Sequence, residues 1–450
     1  MIDKVREIAL KILYKIDKGE GYSNISLNEV IKENKDILNR KDISFISEIV
    51  YGVTTWRLTL DEIIKLHSKI KLKKISTWIL NILRMSIYQI VFLDKVPKSA
   101  AVNEGVNLAK RYGNRGSIGF VNAILRNVNK DDYKKLFDEK DEILKISKTT
   151  SMPIWIIEEL INEGLDKNRI LNICKNSNIR PKVSVRVNNL KTNKSELKEI
   201  LNKEKVVSKD GVLDDFLVLE KVNDIENLKS FKDGLFTVQD EAAGLTALIL
   251  EPKEEEQILD ACSSPGGKTT YLSEIMKNNG EVIAWDIHAH RVKLVRDNAK
   301  RLGIKIINAE ENDATIYKQE YKEKLDKILL DVPCLGVGVL KRKPDIKWQK
   351  RKEDIDEIID LQYSILNTCS KYLKKGGELV YSTCSIFRKE NRDIIFKFLK
   401  ENPDFEIEKI SDVLKNKAKF FLNYLVDNKF LEVYQNEETD GFFICKLSKK

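Results

Sequence analysis

The sequence predicts a multidomain protein with an all-α N-terminal domain, a small α/β subdomain and a C-terminal α/β domain built on a parallel sheet. Three observations carry this reading. The 450 residues exceed one ordinary domain. The first 130 carry apolar residues at helical spacing only, as in Val5, Ile8, Ile12 and Ile16. From Phe236 onward strand-like and helix-like segments alternate, the pattern of a parallel sheet with helices on both faces.

Residues 1–131 make the helical domain. The N-terminus reads as an amphipathic helix and lacks the small-residue cleavage site of a signal peptide. Helical spacing continues in Ser76–Leu93 and Ser99–Tyr112, and Gly116–Arg126 opens on glycine and ends basic. Residues 132–150, which include most of the charge-dense KDDYKKLFDEKDE, are expected to form a linker. Residues 151–235 are expected to form the small subdomain, with a helix over Trp155–Gly164, strands at Lys182–Val187 and Val212–Leu219, and a short helix at Glu196–Leu201. Residues 236–450 complete the chain, and no internal repeat is evident.

A hydrophobic content of 42% excludes a disordered protein. The most apolar helical stretch, Trp78–Leu93, is interrupted by Asn81, Arg84 and Gln89, so no membrane span is expected. A soluble, cytoplasmic protein follows. Six cysteines without CxxC spacing argue against a disulfide framework or a zinc site. His288 and His290 lie two apart, off a common helix face, and no metal is expected. The net charge of +9 resides in residues 1–131, which hold 23 Lys and Arg against 14 Asp and Glu; the remainder balances at 56 of each. Such a local excess fits a polyanionic partner, although a lysine-rich composition bias explains it almost as well.

The strand Gln257–Asp260 runs into Ala261-Cys-Ser-Ser-Pro-Gly-Gly-Lys-Thr-Thr270 and then a helix. Glycines there let the backbone approach a ligand, and a helix N-terminus offers free N–H groups. A second strand, Glu281–Trp285, ends in Asp286, 19 residues beyond Gly267. A carboxylate at that distance can bind both ribose hydroxyls of a nucleotide-like cofactor. The helix Ala289–Leu302 follows, with Val292, Val295, Ala299 and Leu302 inward and Gly303 as its stop. These features do not choose between NAD and S-adenosylmethionine. There is no GxGxxG, and Lys268-Thr269 lacks the rest of a P-loop.

Two later strands carry reactive groups at their carboxyl ends, where open α/β sheets bind ligands. Asp326–Leu330 leads into Asp331-Val-Pro-Cys334, and Glu378–Tyr381 leads into Ser382-Thr-Cys384. Cys174, Cys369 and Cys445 read instead as inert core residues.

The segments LDACSSPGGKTT, AWDIHAHR, LLDVPCLGVG, KRKPDIKW, VYSTCSIFRKEN, FTVQDEAAGL and DGFFICKL together resemble the motif series of the RNA cytosine-5 methyltransferases. The N-terminal VNEGVNLAKRYG and GFVNAILRNV resemble the NusB-like RNA-binding domain. The combination is similar to the RsmB (Sun) family, over nearly the whole chain. That resemblance implies a NusB-like domain, an RRM-like small subdomain and a Rossmann-like methyltransferase domain. It implies S-adenosylmethionine as cofactor, and as partner small-subunit (16S) ribosomal RNA met by a monomer before assembly is complete. It assigns Cys384 as the nucleophile that adds to carbon 6 of cytosine, Asp331 as the group bonded to the cytosine edge, and Cys334 as the helper of proton removal and enzyme release. The backbone of Cys262, Ser263, Ser264, Pro265, Gly266, Gly267 and Lys268 would cradle the methionine end. Asp286 would hold the ribose and Asp313 the adenine amino group, with Asp331 also reaching the cofactor pocket. Lys268 is in addition a candidate to lower a cysteine pKa. Departures from the family pattern fall at Ser263-Ser264, Val332 and Leu335, and at the missing proline before DGFF. Three alternatives stay open: a transfer-RNA target, a DNA cytosine-5 enzyme with the Pro-Cys residue as nucleophile, and a non-catalytic RNA-binding or antitermination factor.

Overall fold

Helical spacing becomes helices throughout the N-terminal part of the computed structural model, which describes residues 3–19, 21, 23–34, 37–220, 222 and 224–450. One compact unit runs to Ile179 and also takes in Leu340–Lys350; the other comprises Arg180–Val339 and Arg351–Lys450. Among the described residues no helix is long and apolar enough to cross a membrane.

In the helical unit, Lys4–Asp17, Ser23–Glu33, Arg40–Thr55, Arg57–His67, Thr77–Phe92, Lys98–Tyr112 and Arg115–Asn127 share one core. Short polar side chains start several of them: Asp3, Asn39, Ser76 and Asn114 each accept a hydrogen bond from a first-turn N–H. Thr77–Phe92 is buried on nearly all sides. The polar residues that interrupt its apolar run are therefore paired, as burial requires. Arg84 donates to Asp61 at 2.7 and 2.8 Å and to Asp17 at 2.8 Å, Asn81 donates to Asp17, and Gln89 accepts from Arg6.

Three segments pack differently from the sequence expectation. Residues 132–150 are not a linker: Asp131–Lys135 and Glu142–Thr150 are helices, with Leu136 and Ile146 buried. The charge density misleads because it sits mostly on the outer face. The fully buried charge in this stretch, Asp132, accepts from the Asn129 N–H and Lys135 and meets the His67 ring at 2.8 Å. By their contacts, helices Ile154–Asn162 and Lys167–Asn176, which precede the strands of the small subdomain, group with this unit. So does Leu340–Lys350, from the middle of the expected C-terminal domain. Three of its polar groups are bonded within the helical unit: Asp345 accepts from Ser23, Trp348 Nε1 donates to the Thr54 carbonyl, and Lys347 donates to Asn178 at 2.6 Å. Burial lowers the Lys347 ammonium to about 7.

The second unit begins with an antiparallel sheet of β1 (Val183–Val187), β2 (Val207–Asp210), β3 (Phe216–Glu220) and β4 (Phe236–Val238), in the order β2-β3-β1-β4. Helices Lys194–Lys203 and Lys229–Lys232 complete a βαββαβ pattern, the ferredoxin-like arrangement. The small subdomain thus extends through Val238, because Phe236 pairs with Val187. The expected strand Val212–Leu219 is instead a turn followed by β3, with Phe216 N bonded to the Leu213 carbonyl. Both faces of this sheet are packed at its centre. Val185, Val187, Leu217 and Leu219 form one core, while Arg186 and Phe216 pack onto the helices Gly267–Ile275 and Glu241–Leu250. The central strands β1 and β3 are therefore covered, while the edge strand β2 is largely exposed.

The larger sheet contains β5 (Gln257–Asp260), β6 (Glu281–Asp286), β7 (Ile307–Glu311), β8 (Leu325–Asp331), β9 (Leu373–Thr383), β10 (Phe405–Ile407), β11 (Leu425–Val426), β12 (Phe430–Val433) and β13 (Phe442–Lys449). Its order is β11-β12-β13-β9-β8-β5-β6-β7, with β10 also on β13. Pairs among β5 to β9 are parallel, and those of β10 to β13 are antiparallel, so the sheet is mixed rather than wholly parallel. The physical reason is the short returns from β11 to β12 to β13, which leave no room for a crossover helix. The strand order reverses beside β5, so β5, β6 and β8 open their carboxyl ends onto one crevice.

Candidate active site

The loop after β5 is held by its own backbone. Ser263 donates its N–H and its Oγ–H to the Trp285 carbonyl, at 2.8 and 2.9 Å, and Gly266 N bonds the Ser263 carbonyl at 2.7 Å. Gly266 has φ +99°, and a Cβ there would lie 3.2 Å from the Val295 backbone, so only glycine fits comfortably. The helix Gly267–Ile275 starts at once and aims its free N–H groups at the crevice. Cys262 packs against the core beneath this loop, and burial pushes its thiol well up.

Two buried polar atoms flank the crevice without a well-formed bond. Asp260, at the end of β5, accepts from Thr269 at 2.7 Å through one oxygen, but its Oδ1 has only weak help from the Cys262 backbone. Burial, with the nearby Asp331 charge adding to it against the Thr269 bond, raises this carboxyl to about 7. On the other side, the Asn312 Nδ2 donor is unpartnered. Between them stands Asp286, buried at the end of β6, accepting from the His288 N–H at 3.2 Å and meeting Arg291 at 3.4 Å. Asp313 follows β7, but its Oδ1 is already taken by the Thr315 N–H and hydroxyl at 2.9 and 2.7 Å. A weakly bonded acceptor, an unpartnered donor and a ribose-range carboxylate are the groups a nucleoside carrying an amino-acid tail would satisfy.

On the opposite side, parallel pairing of β8 and β9 sets Asp331 beside Ser382. Ser382 Oγ donates to Asp331 at 2.9 Å, and Lys268 Nζ donates to its other oxygen at 2.6 Å. Burial by itself would lower the Lys268 ammonium; Asp331 more than offsets this and raises it, with the Cys384 sulfur contributing. Lys268 also lies 5.4 Å over the Phe442 ring. Just past the two strands, Cys334 and Cys384 bring their sulfurs to 2.9 Å. The hydrogen bond to Cys384, then burial and nearby carboxylates, hold the Cys334 thiol well above its ordinary value. Both cysteines are partly exposed, unlike the buried Cys174, Cys369 and Cys445; burial pushes the Cys174 thiol to about 12.

Several contributors carry no local signal in the sequence. Arg186 of β1, fully buried, donates to the Gly267 carbonyl at 2.7 Å, to Thr270 and to both oxygens of Glu274, and so ties the small subdomain to the helix Gly267–Ile275. Gly338 and Gly441 pack backbone to backbone, and Gly338 N bonds the Cys384 carbonyl at 2.8 Å. These two glycines lie inside the LGVG and DGFF segments of the sequence, and that placement is the only local hint of their role.

The fold and this crevice define an S-adenosylmethionine-dependent methyltransferase. Residues 247–448 match the family described as 16S rRNA methyltransferase RsmB/F, residues 3–130 the NusB family, and residues 152–226 the ferredoxin-like domain of the RsmF/B-like methyltransferases. The chain is 37% identical to a probable ribosomal RNA small subunit methyltransferase B of Bacillus subtilis, over 99% of each chain. The crystal structure of PH0851 superposes with a TM-score of 0.80 at 25% identity, covering 100% of both chains. NSun6 from Pyrococcus horikoshii, solved with SFG, shares the fold at a TM-score of 0.55 and 23% identity, over 65% of this chain and 97% of that one. This chain belongs to the ribosomal RNA small subunit methyltransferase B family.

Proposed function

We propose that this protein methylates carbon 5 of a cytosine in small-subunit (16S) ribosomal RNA, acting in the cytoplasm through a covalent Cys384–cytosine adduct. The observation that carries the reading is the thiol pair, 2.9 Å apart, beside a carboxylate that Lys268 and Ser382 hold in place. Carbon 5 of cytosine is a poor nucleophile until a thiolate adds to carbon 6. In this scheme the Cys384 sulfur bonds carbon 6, the displaced electron pair moves through the ring, and the proton that leaves the Cys384 thiol reaches N3 by way of Asp331. S-adenosylmethionine supplies the methyl group to carbon 5 when bound. Asp260 and the loop backbone would hold its methionine end, Asp286 its ribose, and Asn312 with Asp313 its adenine.

The geometry of the thiol pair supports a division of labour, because one sulfur can attack carbon 6 while the other lies close enough to serve carbon 5. Once Cys384 is bonded to carbon, the Cys334 thiol passes its proton to solvent. The Cys334 thiolate then takes the carbon 5 proton, the carbon 6–sulfur bond breaks with its electrons returning to Cys384, and the N3 proton goes back by way of Asp331 to the Cys384 sulfur. The positive charge excess in residues 1–131 supports an RNA-binding role for the helical unit. The test incubates the purified protein and labelled cofactor with 16S ribosomal RNA and, separately, with transfer RNA. Nucleoside analysis should find 5-methylcytosine in the ribosomal RNA; label on transfer RNA alone, or on another atom, overturns the proposal.

A further inference from the structure

We propose that Glu390 is a positioning residue that sets the separation of the two active-site thiols, an inference that rests on the covalent reading above. Glu390 is fully buried in the loop after β9. One carboxylate oxygen accepts from the Leu335 N–H at 3.0 Å, the residue directly after Cys334. The same oxygen accepts from Gln362 Nε2 at 3.0 Å, and that amide also donates to the Pro333 carbonyl at 2.8 Å, directly before Cys334. The other oxygen accepts from the Ser385 hydroxyl, directly after Cys384. The Glu390 carbonyl accepts from Tyr381 at 2.8 Å, which fixes the carboxylate's own backbone to β9. One side chain thus clamps the immediate neighbours of both cysteines, and their sulfurs meet at 2.9 Å. Two loops from different strands need such a clamp to hold that spacing, which the relay from Cys384 attack to Cys334 proton removal requires.

The comparison of Glu390→Ala with Glu390→Gln tests this. A carboxamide keeps an acceptor oxygen for Leu335 and Gln362 and turns its NH2 toward the Ser385 oxygen, which can accept. Alanine removes every arm of the clamp. Phenylarsine oxide reads the spacing without any methyl transfer: its arsenic bonds two adjacent thiols and releases one water. Cys334→Ala gives the background for single-thiol binding. We expect the wild type and Glu390→Gln to chelate the arsenical, and Glu390→Ala to fall to the single-thiol background while binding S-adenosylmethionine normally. Turnover of Glu390→Ala should drop about a hundredfold in kcat with the RNA KM unchanged, the scale of an ångström misplacement, and Glu390→Gln should restore it. If Glu390→Ala does not fold, Ser385→Ala cuts the Cys384 arm alone and should weaken chelation. Unchanged chelation and kcat in Glu390→Ala, or unchanged chelation in Ser385→Ala, overturns the inference. A wild type that makes no 5-methylcytosine yet chelates the arsenical condemns the methyl-transfer reading instead.

Discussion

Replacing Arg186 by methionine removes the pin between the small subdomain and the helix Gly267–Ile275. The guanidinium is fully buried and spends its donors on Glu274, Thr270 and the Gly267 carbonyl. Its partner Glu274 is also buried, and burial already raises that carboxyl while Arg186 pulls it down. Breaking a buried pair from one side typically costs about 3–5 kcal/mol, because the remaining charge is left uncompensated. Arg186→Met should therefore destabilise the α/β unit by about that amount. The pH dependence fixes the cause. In the variant, Glu274 titrates higher in the fold than in the unfolded chain, whose value is about 4.3. Stability is then retained below the unfolded value and lost as pH rises through the folded one, so the deficit should be larger at pH 8 than at pH 5. Arg186→Met with Glu274→Leu should recover most of the loss. Hydrogen exchange by mass spectrometry, followed on peptides from β1 and Gly267–Ile275 at both pH values, reports this unit separately. A single variant within about 1 kcal/mol of wild type, or a double variant no better than the single, would refute the reasoning.

Other consequences are open to simpler measurements. Asp286→Ala should weaken S-adenosylmethionine binding by about 1.5–3 kcal/mol, the value of hydrogen bonds to a charged group; unchanged affinity in calorimetry would remove Asp286 from the site. Asp260 sits near 7 in the fold through burial, so its stabilising proton is fully held below about 4 and lost as pH rises through 7. The cofactor-free protein should lose up to about 4 kcal/mol from this group between those limits, and Asp260→Asn should flatten that slope in urea unfolding; an identical slope would contradict it. Lys110, Arg115 and Arg126 are exposed on the helical unit. If they touch phosphates, changing all three to alanine should reduce the slope of log affinity against log salt by about 0.7 for each phosphate no longer neutralised. An unchanged slope in RNA binding would place the phosphate-binding side chains elsewhere.

The larger elements were legible because their signals are local. Helical spacing found Lys4–Asp17 and Thr77–Phe92, and the strand-end logic found β5, β6, β8 and β9 at their carboxyl ends within a residue or two. Asp331, Cys334 and Cys384 were legible as a group because each follows a strand end, and the structure does bring them to one place. What escaped depends on partners remote in sequence. Asp132 belongs to a helical core only because His67 lies across from it. Leu340–Lys350 reads like its neighbours, yet its Asp345 is bonded to Ser23, 322 residues away. Arg186 looks like one polar residue in an apolar strand, and its meaning appears only with Glu274, 88 positions later. Periodicity carries no information about such pairs. The antiparallel end of the larger sheet was missed for a related reason, since alternation of strands and helices says nothing of the hairpins after β11.

In the proposed reaction Cys384 attacks and Cys334 releases, and trapping the covalent adduct separates the two roles. Wild type, Cys384→Ala and Cys334→Ala are each incubated with labelled 16S ribosomal RNA and S-adenosylmethionine, then run on a denaturing gel. A slow-migrating protein–RNA adduct carrying the methyl group is expected with Cys334→Ala, and none with Cys384→Ala. An adduct with Cys384→Ala and none with Cys334→Ala would contradict it and make Cys334 the nucleophile.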